Sequence, residues 1–431
     1  MNRLSRRTFL AASLVAGAEA HAAPDEKKEE AQKTPTPVAL VGGTVLRAGQ
    51  KPLADAVVVT DTDGRIAYVG DDVAQAAVGT PTPHRIDVAG KTITGGLCDP
   101  LTQIGLVEVS LETSTSDRSA DEDDPIRAAF RAADGYNPDS TLVAIARQQG
   151  LTSVGVMPSG GLVTGQSAFV DLRGTDPENI LGREFMALHV RIDDGAYGSY
   201  EGNRANAWLR LRELIADTRV FAKNPQGYDR RQMRQMSASR LDLVATQRAL
   251  EGEIPMVIHV DRASDIRTAL RLAAQEGLKL VLASAAEGWK AADAIAEADV
   301  PVVVYPLDHG PRSFAARGAR EDNAKRLHDA GVKLAFSTGS SHNARKLRQA
   351  AGNAVRAGLP RAEGIAAAVD GPARAFGLEA DYGSPKKGRR ANLVVWSGDP
   401  LEFSSRVERM LIRGFPASLR SRQTALFERY R

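Results

Sequence analysis

One cysteine, Cys98, in 431 residues excludes any disulfide within the chain. Set in an apolar run, it reads as a small buried core residue rather than a reactive thiol. Aromatic residues are scarce, at 5%, so no surface for stacking nucleic-acid bases is expected. An excess of one charge sign is missing too. The 56 Lys and Arg face 53 Asp and Glu, interspersed along the chain, which removes the electrostatic footprint of a nucleic-acid binder. No apolar run reaches the roughly 20 residues of a membrane-spanning helix. The glycines Gly160, Gly161 and Gly165 lack a following Gly-Lys-Ser and form no phosphate loop. The acidic stretch Asp117 to Asp124 lacks the glycine of a calcium loop and reads as a solvated loop over a barrel mouth. What remains, 43% hydrophobic and 25% charged, is ordinary globular protein, long enough for one large α/β barrel and a small accessory domain.

The first residues carry a targeting pattern. Ser5-Arg6-Arg7-Thr8-Phe9-Leu10 is a twin-arginine signature, followed by a short apolar run to Gly17 and small residues suited to cleavage after Ala20 or Ala22. Residues 1–22 are therefore expected to be a signal peptide, and the location periplasmic or secreted. The Lys- and Glu-rich residues 23–37 read as a flexible linker.

Residues 38–94 alternate short apolar runs with tight turns, including an Asp63-Gly64 hairpin signal. Residues 385–431 supply matching pieces, Ala391 to Trp396 and Val407 to Gly414. Between them, apolar runs such as Ser153–Met157, Met256–Val260, Lys279–Ala283 and Pro301–Tyr305 alternate with helical patterns. That rhythm predicts an α/β fold of TIM (β/α)8 type over residues 95–384. Asn203 to Leu250 reads as a longer helical insertion with solvated charged faces.

Motifs at both ends of the barrel region resemble the amidohydrolase superfamily. Gly96-Leu97-Cys98-Asp99-Pro100-Leu101-Thr102-Gln103 is similar to its first-strand pattern Gly-Leu-Ile-Asp-x-His-x-His. Val369-Asp370-Gly371-Pro372-Ala373 resembles its Thr-x-Asn-Pro-Ala helix, and Gly383 to Trp396 followed by Gly398-Asp399-Pro400-Leu401 resembles its C-terminal signature. Gly150 to Val154 and Ile254 to Ile266 are similar to an exported, imidazolonepropionase-like branch. The resemblance implies that both chain ends join in one composite β-sandwich, and that the ancestral reaction is hydrolysis of non-peptide carbon–nitrogen bonds such as cyclic amides.

It also implies a metal centre at the strand ends, which polarises the scissile carbonyl and activates water. Here the two first-strand histidine positions hold Leu101 and Gln103. The sixth-strand position falls near Ser284, and the last-strand aspartate is replaced by Gly339 (Ser340 if the alignment slips). One retained histidine, His259, does not hold zinc, which wants at least three protein donors. No cofactor is therefore expected unless a zinc or other divalent site has been rebuilt from His309, His342 and Asp308. His259 with Asp261 is the catalytic candidate, as general base or ligand-orienting group; a histidine simply hydrogen-bonded inside the mouth explains it as well. Gln103, Arg262, Glu287 and His342 are the candidate ligand-binding residues. Two functions stay open: an exported amidohydrolase-like hydrolase, or an inactive relative that binds a small ligand or partners an active homologue. The sequence leaves a homo-oligomer open.

Overall fold

The computed structural model describes residues 34–72, 83–119, 124–174, 180–193 and 203–431. The expected signal peptide, residues 23–33 of the linker and residues 120–123 of the acidic stretch lie outside them. The first strands are β1 (Val38–Val45), β2 (Leu53–Thr60), β3 (Ile66–Gly70), β4 (His84–Asp87) and β5 (Thr92–Gly95). Then come β6 (Leu97–Thr102), β7 (Leu151–Val156), β8 (Val163–Asp171), β9 (Leu181–Arg191), β10 (Met256–Val260), β11 (Leu280–Ser284), β12 (Val302–Val304) and β13 (Leu334–Phe336). The chain closes with β14 (Leu393–Trp396), β15 (Val407–Ile412) and β16 (Phe415–Pro416).

The two chain ends do meet. They form one eight-stranded sheet in the order β16-β15-β14-β5-β1-β2-β3, with β4 also on β1. β5 pairs with β14 through Ile93↔Val395 and Gly95↔Leu393. The continuity of this sheet follows from β1. Its first half, Val38 to Val41, pairs in parallel with β4, and after the Gly42-Gly43 irregularity Thr44 and Val45 pair with β5. Alternation then buries Val38, Leu40, Val58, Ile93, Leu393 and Val395 on one face and Ala39, Val57 and Val59 on the other.

The second eight-stranded sheet, in the order β6 to β13 without a crossover, is the near-closed barrel. Its pairs are parallel except around β8, which runs antiparallel to both β7 and β9. The Gly160-Gly161 turn is short, and a short turn permits only a hairpin, since a parallel return needs a long crossover. This reversal departs from a strict (β/α)8 repeat. It also brings the end of β8, Asp171, beside Ser153 near the start of β7, at the bottom of the barrel.

The inward positions are read from the interior cluster. Ala187, Val257, Val281, Ala283, Val303 and Ala335 share it with Leu101 and Phe169, while helices pack outside. The helix Ala263–Glu276 shows why such helices form and stop. Ile266, Ala269, Leu272 and Ala273 are buried at helical spacing, and Gly277 ends it at φ +68°. The longer insertion resolves into helices Arg204–Lys223, Pro225–Asp229 and Arg240–Leu250. The barrel and the composite sheet share Trp396, fully buried, its indole N–H donating to Thr94 Oγ1 at 2.9 Å. Gly150 is the enabling residue there, since a Cβ on it would stand 2.2 Å from the Trp396 ring. Truncating such a side chain to Ala costs about 3–5 kcal/mol.

Candidate functional site in the barrel mouth

Inward parity continues up each strand. β9 presents Ala187, His189 and Arg191; β10 presents Val257 and His259, with Asp261 just beyond it. β12 presents Val303 followed by Tyr305, and β13 Ala335 followed by Ser337 and Gly339. Lateral register sets His259 beside Arg191 and Ala283. The strand-end layer that carries chemistry in barrel enzymes is therefore polar on β9, β10, β12 and β13.

Its best-defined part is a chain of three buried groups. His189 Nε2 meets Ser167 Oγ at 2.7 Å, and His189 Nδ1 meets His259 Nε2 at 3.1 Å. Ser167 and His189 are fully buried and His259 is 6% exposed. Burial, then the neighbouring His259 and Arg191, push His189 well below its ordinary pKa. Burial and Arg191 push His259 down to about 3. Both imidazoles are neutral near pH 7.

At the seam between β13 and β6, the Asp99 carboxylate is fully buried. It accepts from Ser337 Oγ, from the Thr338 N–H at 3.0 Å, from Thr338 Oγ1 at 2.6 Å and from the Leu101 N–H at 3.3 Å. Burial raises its pKa to about 6 despite those donors. Asp99 thus closes the barrel by side chain.

The residues nominated from the sequence separate. His259 lies inside the barrel. Asp261 bonds not with His259 but with Ser284 Oγ at 2.5 Å and the Ala286 N–H at 3.3 Å, with Arg312 3.7 Å away. It thereby holds the turn after β11, where Ser284 and Ala285 both have positive φ, 69° and 48°. Its lone pairs are engaged in structure, which argues against its pairing with His259 as a base. Gln103 is nearly buried and accepts from Arg118 at 3.4 Å. Arg262 precedes the helix Ala263–Glu276 and pairs with Asp265. Glu287 accepts from Lys290, the Ala263 N–H and the Gly318 N–H at 2.7, 3.2 and 2.9 Å. Partial burial works to raise its pKa, but these donors pull it below the ordinary value. His342 is exposed and bonds Ser341 Oγ at 3.0 Å.

The rebuilt metal site does not assemble. His309 contacts the Pro306 carbonyl and lies 3.9 Å from Glu321, while Asp308 pairs with Arg312. Among the described residues no three His, Cys, Asp or Glu side chains gather closely enough to hold a metal ion. The expected positions explain why. Leu101 is fully buried and has no donor atom; Gly339, at φ +62°, has no side chain. A Cβ on Gly339 would stand 2.9 Å from Tyr305 Cε2, so the Tyr305 ring takes the room a carboxylate side chain there would need. The residues present do not fit the family's metal.

Sequence reading passed over His189, Tyr305, Ser167 and Arg191. A signal existed for His189 and Tyr305, polar groups at inward parity near the ends of otherwise apolar strands. Ser167 gave none. A cavity of about 450 Å³ lies elsewhere, in the composite sheet, lined mainly by apolar residues such as Val38, Leu40, Ile86, Leu393 and Met410. It contains none of the barrel's polar groups.

Comparison with known proteins follows the same lines. The Amidohydrolase family matches residues 237–414. An amidohydrolase from Thermotoga maritima MSB8 superposes with a TM-score of 0.80 at 25% identity, covering 89% of this chain and 100% of that one. Over residues 237–414 the chain is similar to the amidohydrolase family, and its fold is that of an amidohydrolase. More distant solved structures share the fold. Molinate hydrolase matches at 17% identity and TM-score 0.55 over 90% of this chain and 95% of its own. A zinc-bound adenosine deaminase from Xanthomonas campestris matches at 17% and 0.51 over 89% and 93%. No curated protein matches. The amidohydrolase-like fold is present here, and among the described residues no cluster able to hold a metal ion accompanies it.

Proposed function

We propose that this amidohydrolase-superfamily protein is a metal-independent binder of a small molecule, exported to the periplasm or beyond, whose ancestral carbon–nitrogen hydrolysis has been lost. The observation that carries this reading is the filled metal position: Leu101 without a donor, and the Tyr305 ring packed where a side chain on Gly339 would go. The strand-end polar groups persist around it, which is the composition of a ligand pocket rather than of a closed core. The twin-arginine pattern supports export, and the runs Gly150 to Val154 and Ile254 to Ile266 support a position near the imidazolonepropionase-like branch.

The test is the metal content of the mature chain, from residue 23 onward, purified from its native compartment without chelator or affinity tag. Trace metal after dialysis is expected. Near-stoichiometric zinc, manganese or iron would overturn the reading and restore hydrolysis of cyclic amides as the leading function.

A further inference from the structure

The Ser167–His189–His259 chain has a direction. Ser167 has one proton and two acceptors within reach: His189 Nε2 at 2.7 Å and the Ala187 carbonyl at 3.4 Å. The first distance is that of a good hydroxyl hydrogen bond and the second is at the weak limit, so the proton lies toward His189. His189 Nε2 is then an acceptor, its proton sits on Nδ1, and that N–H donates to His259 Nε2. A neutral His259 must carry its own proton on Nδ1. Its one hydrogen bond among the described residues is the bond to His189, so Nδ1–H is left to point at whatever enters. The geometry makes His259 a donor, the reverse of a general base.

A second donor lies in the same interior, at the end of β12, with β11 between it and β10. Tyr305 Oη is buried and has no hydrogen-bond partner among the described residues. Tyr305 and His259 lie on the inward parity of β12 and β10, and both feel the charge of Arg191 on β9. A buried hydroxyl without a partner is rare in native structures and asks for an explanation at that spot.

We propose that His259 Nδ1–H and the Tyr305 hydroxyl form a pair of neutral donors that selects ligands presenting an oxygen acceptor, a carboxylate or an amide carbonyl, over ligands presenting an ammonium. This rests on the ligand-binding reading above and names the chemistry it recognises. Two donors facing one oxygen bind it in orientation without proton transfer, and a cation offers them nothing to bind.

The experiment uses the metal-assayed mature chain with 15N-labelled histidine. Long-range 1H–15N spectra, with His259 assigned through His259→Gln, read its tautomer directly. The Nδ1–H form is expected; the Nε2–H form overturns the proposal. Acetate, acetamide and ethylammonium, close in size, are then titrated at millimolar concentration. Saturable shifts of His259 with acetate or acetamide are expected, and which of the two binds tighter separates an anionic from a neutral acceptor. A preference for ethylammonium, or no binding of any probe, overturns the ligand class. Tyr305→Phe, which removes only the hydroxyl, weakens the bound probe roughly tenfold while the His259 tautomer stays unchanged. Unchanged affinity in that variant overturns the role of Tyr305. A metal-ligated His259 signal would instead mark failure of the underlying reading, which keeps the two failures apart.

Discussion

The two ends of the barrel treat buried polarity in opposite ways. At the bottom, Asp171 is fully buried yet surrounded by donors: Tyr382 Oη at 2.9 Å, Asn392 Nδ2 at 2.8 Å, Arg390 at 3.4 Å and Arg413 Nε. These donors come from the segment leading into β14 and from the turn after β15, so the carboxylate fastens barrel to composite sheet. At the mouth, Tyr305 Oη has no partner among the described residues, and the only hydrogen bond His259 makes among them is through Nε2 to His189. Where polarity is fully answered it holds the fold; where it is unanswered it is available to a ligand. Asp171→Ala breaks the comparison from the stable side and has the largest expected effect. It takes the carboxylate from two guanidiniums, an amide and a phenol, at a cost of about 3–5 kcal/mol. Urea unfolding reads this, and a loss under 1 kcal/mol would remove Asp171 as the fastening.

Acid sharpens the same contrast. Asp99, raised to about 6 by burial, takes up a proton in the folded state before it does so unfolded. Its contribution is present below its unfolded value near 4 and is lost as pH rises through 6. At about 1.4 kcal/mol per pH unit this amounts to about 3 kcal/mol. The buried imidazoles act in the opposite sense. With His259 lowered to about 3 and His189 lowered as well, their contribution is present above pH 6.5 and lost as pH falls toward the folded values. Asp99→Asn removes only the first effect. Measured by urea unfolding, the wild type's advantage over this variant is expected to be greater at pH 4.5 than at pH 7.5. A constant difference would mean that Asp99 titrates normally.

Gly339 tests how tightly the mouth is filled. Gly339→Ala places a Cβ at φ +62°, 2.9 Å from the Tyr305 ring, at a cost of about 1–3 kcal/mol. With Tyr305→Ala the steric part disappears while the backbone strain stays. A double-mutant cycle is therefore expected to show a coupling of about 1 kcal/mol. Additive costs would show that the ring does not occupy the lost side chain's space.

Much of this architecture was legible in the sequence, for reasons that can be named. Apolar runs between helical patterns announce buried strands, and the motif from Gly383 to Leu401 identifies the scaffold. Leu101, Gln103 and Gly339 revealed the lost donors because a metal ligand is a matter of residue type. The reversed β8 was not read, since an apolar run carries no direction and only the short Gly160-Gly161 turn hinted at a hairpin. Asp261 bonds Ser284 and not His259 because β10 ends at Val260 and the strand alternation that the sequence pattern supplies stops there. The inward parity of His189 was legible, but its contact with His259 becomes visible only when β9 and β10 are set in register.

The smallest expected effects belong to residues that sequence pattern favoured and geometry set aside. Arg262 is 44% exposed at the start of its helix, paired with an Asp265 that also holds Arg204. His342 is exposed and bonded to its neighbour Ser341. An exposed ion pair contributes about 0–1 kcal/mol and an isolated surface histidine less. Arg262→Ala and His342→Ala are therefore expected to leave unfolding midpoints nearly unchanged and acetate binding within twofold of wild type. The stability half follows from exposure alone. The binding half discriminates, because a large loss of probe affinity in either variant would move the ligand site from the strand-end layer of Tyr305 and His259 out to the surrounding loops.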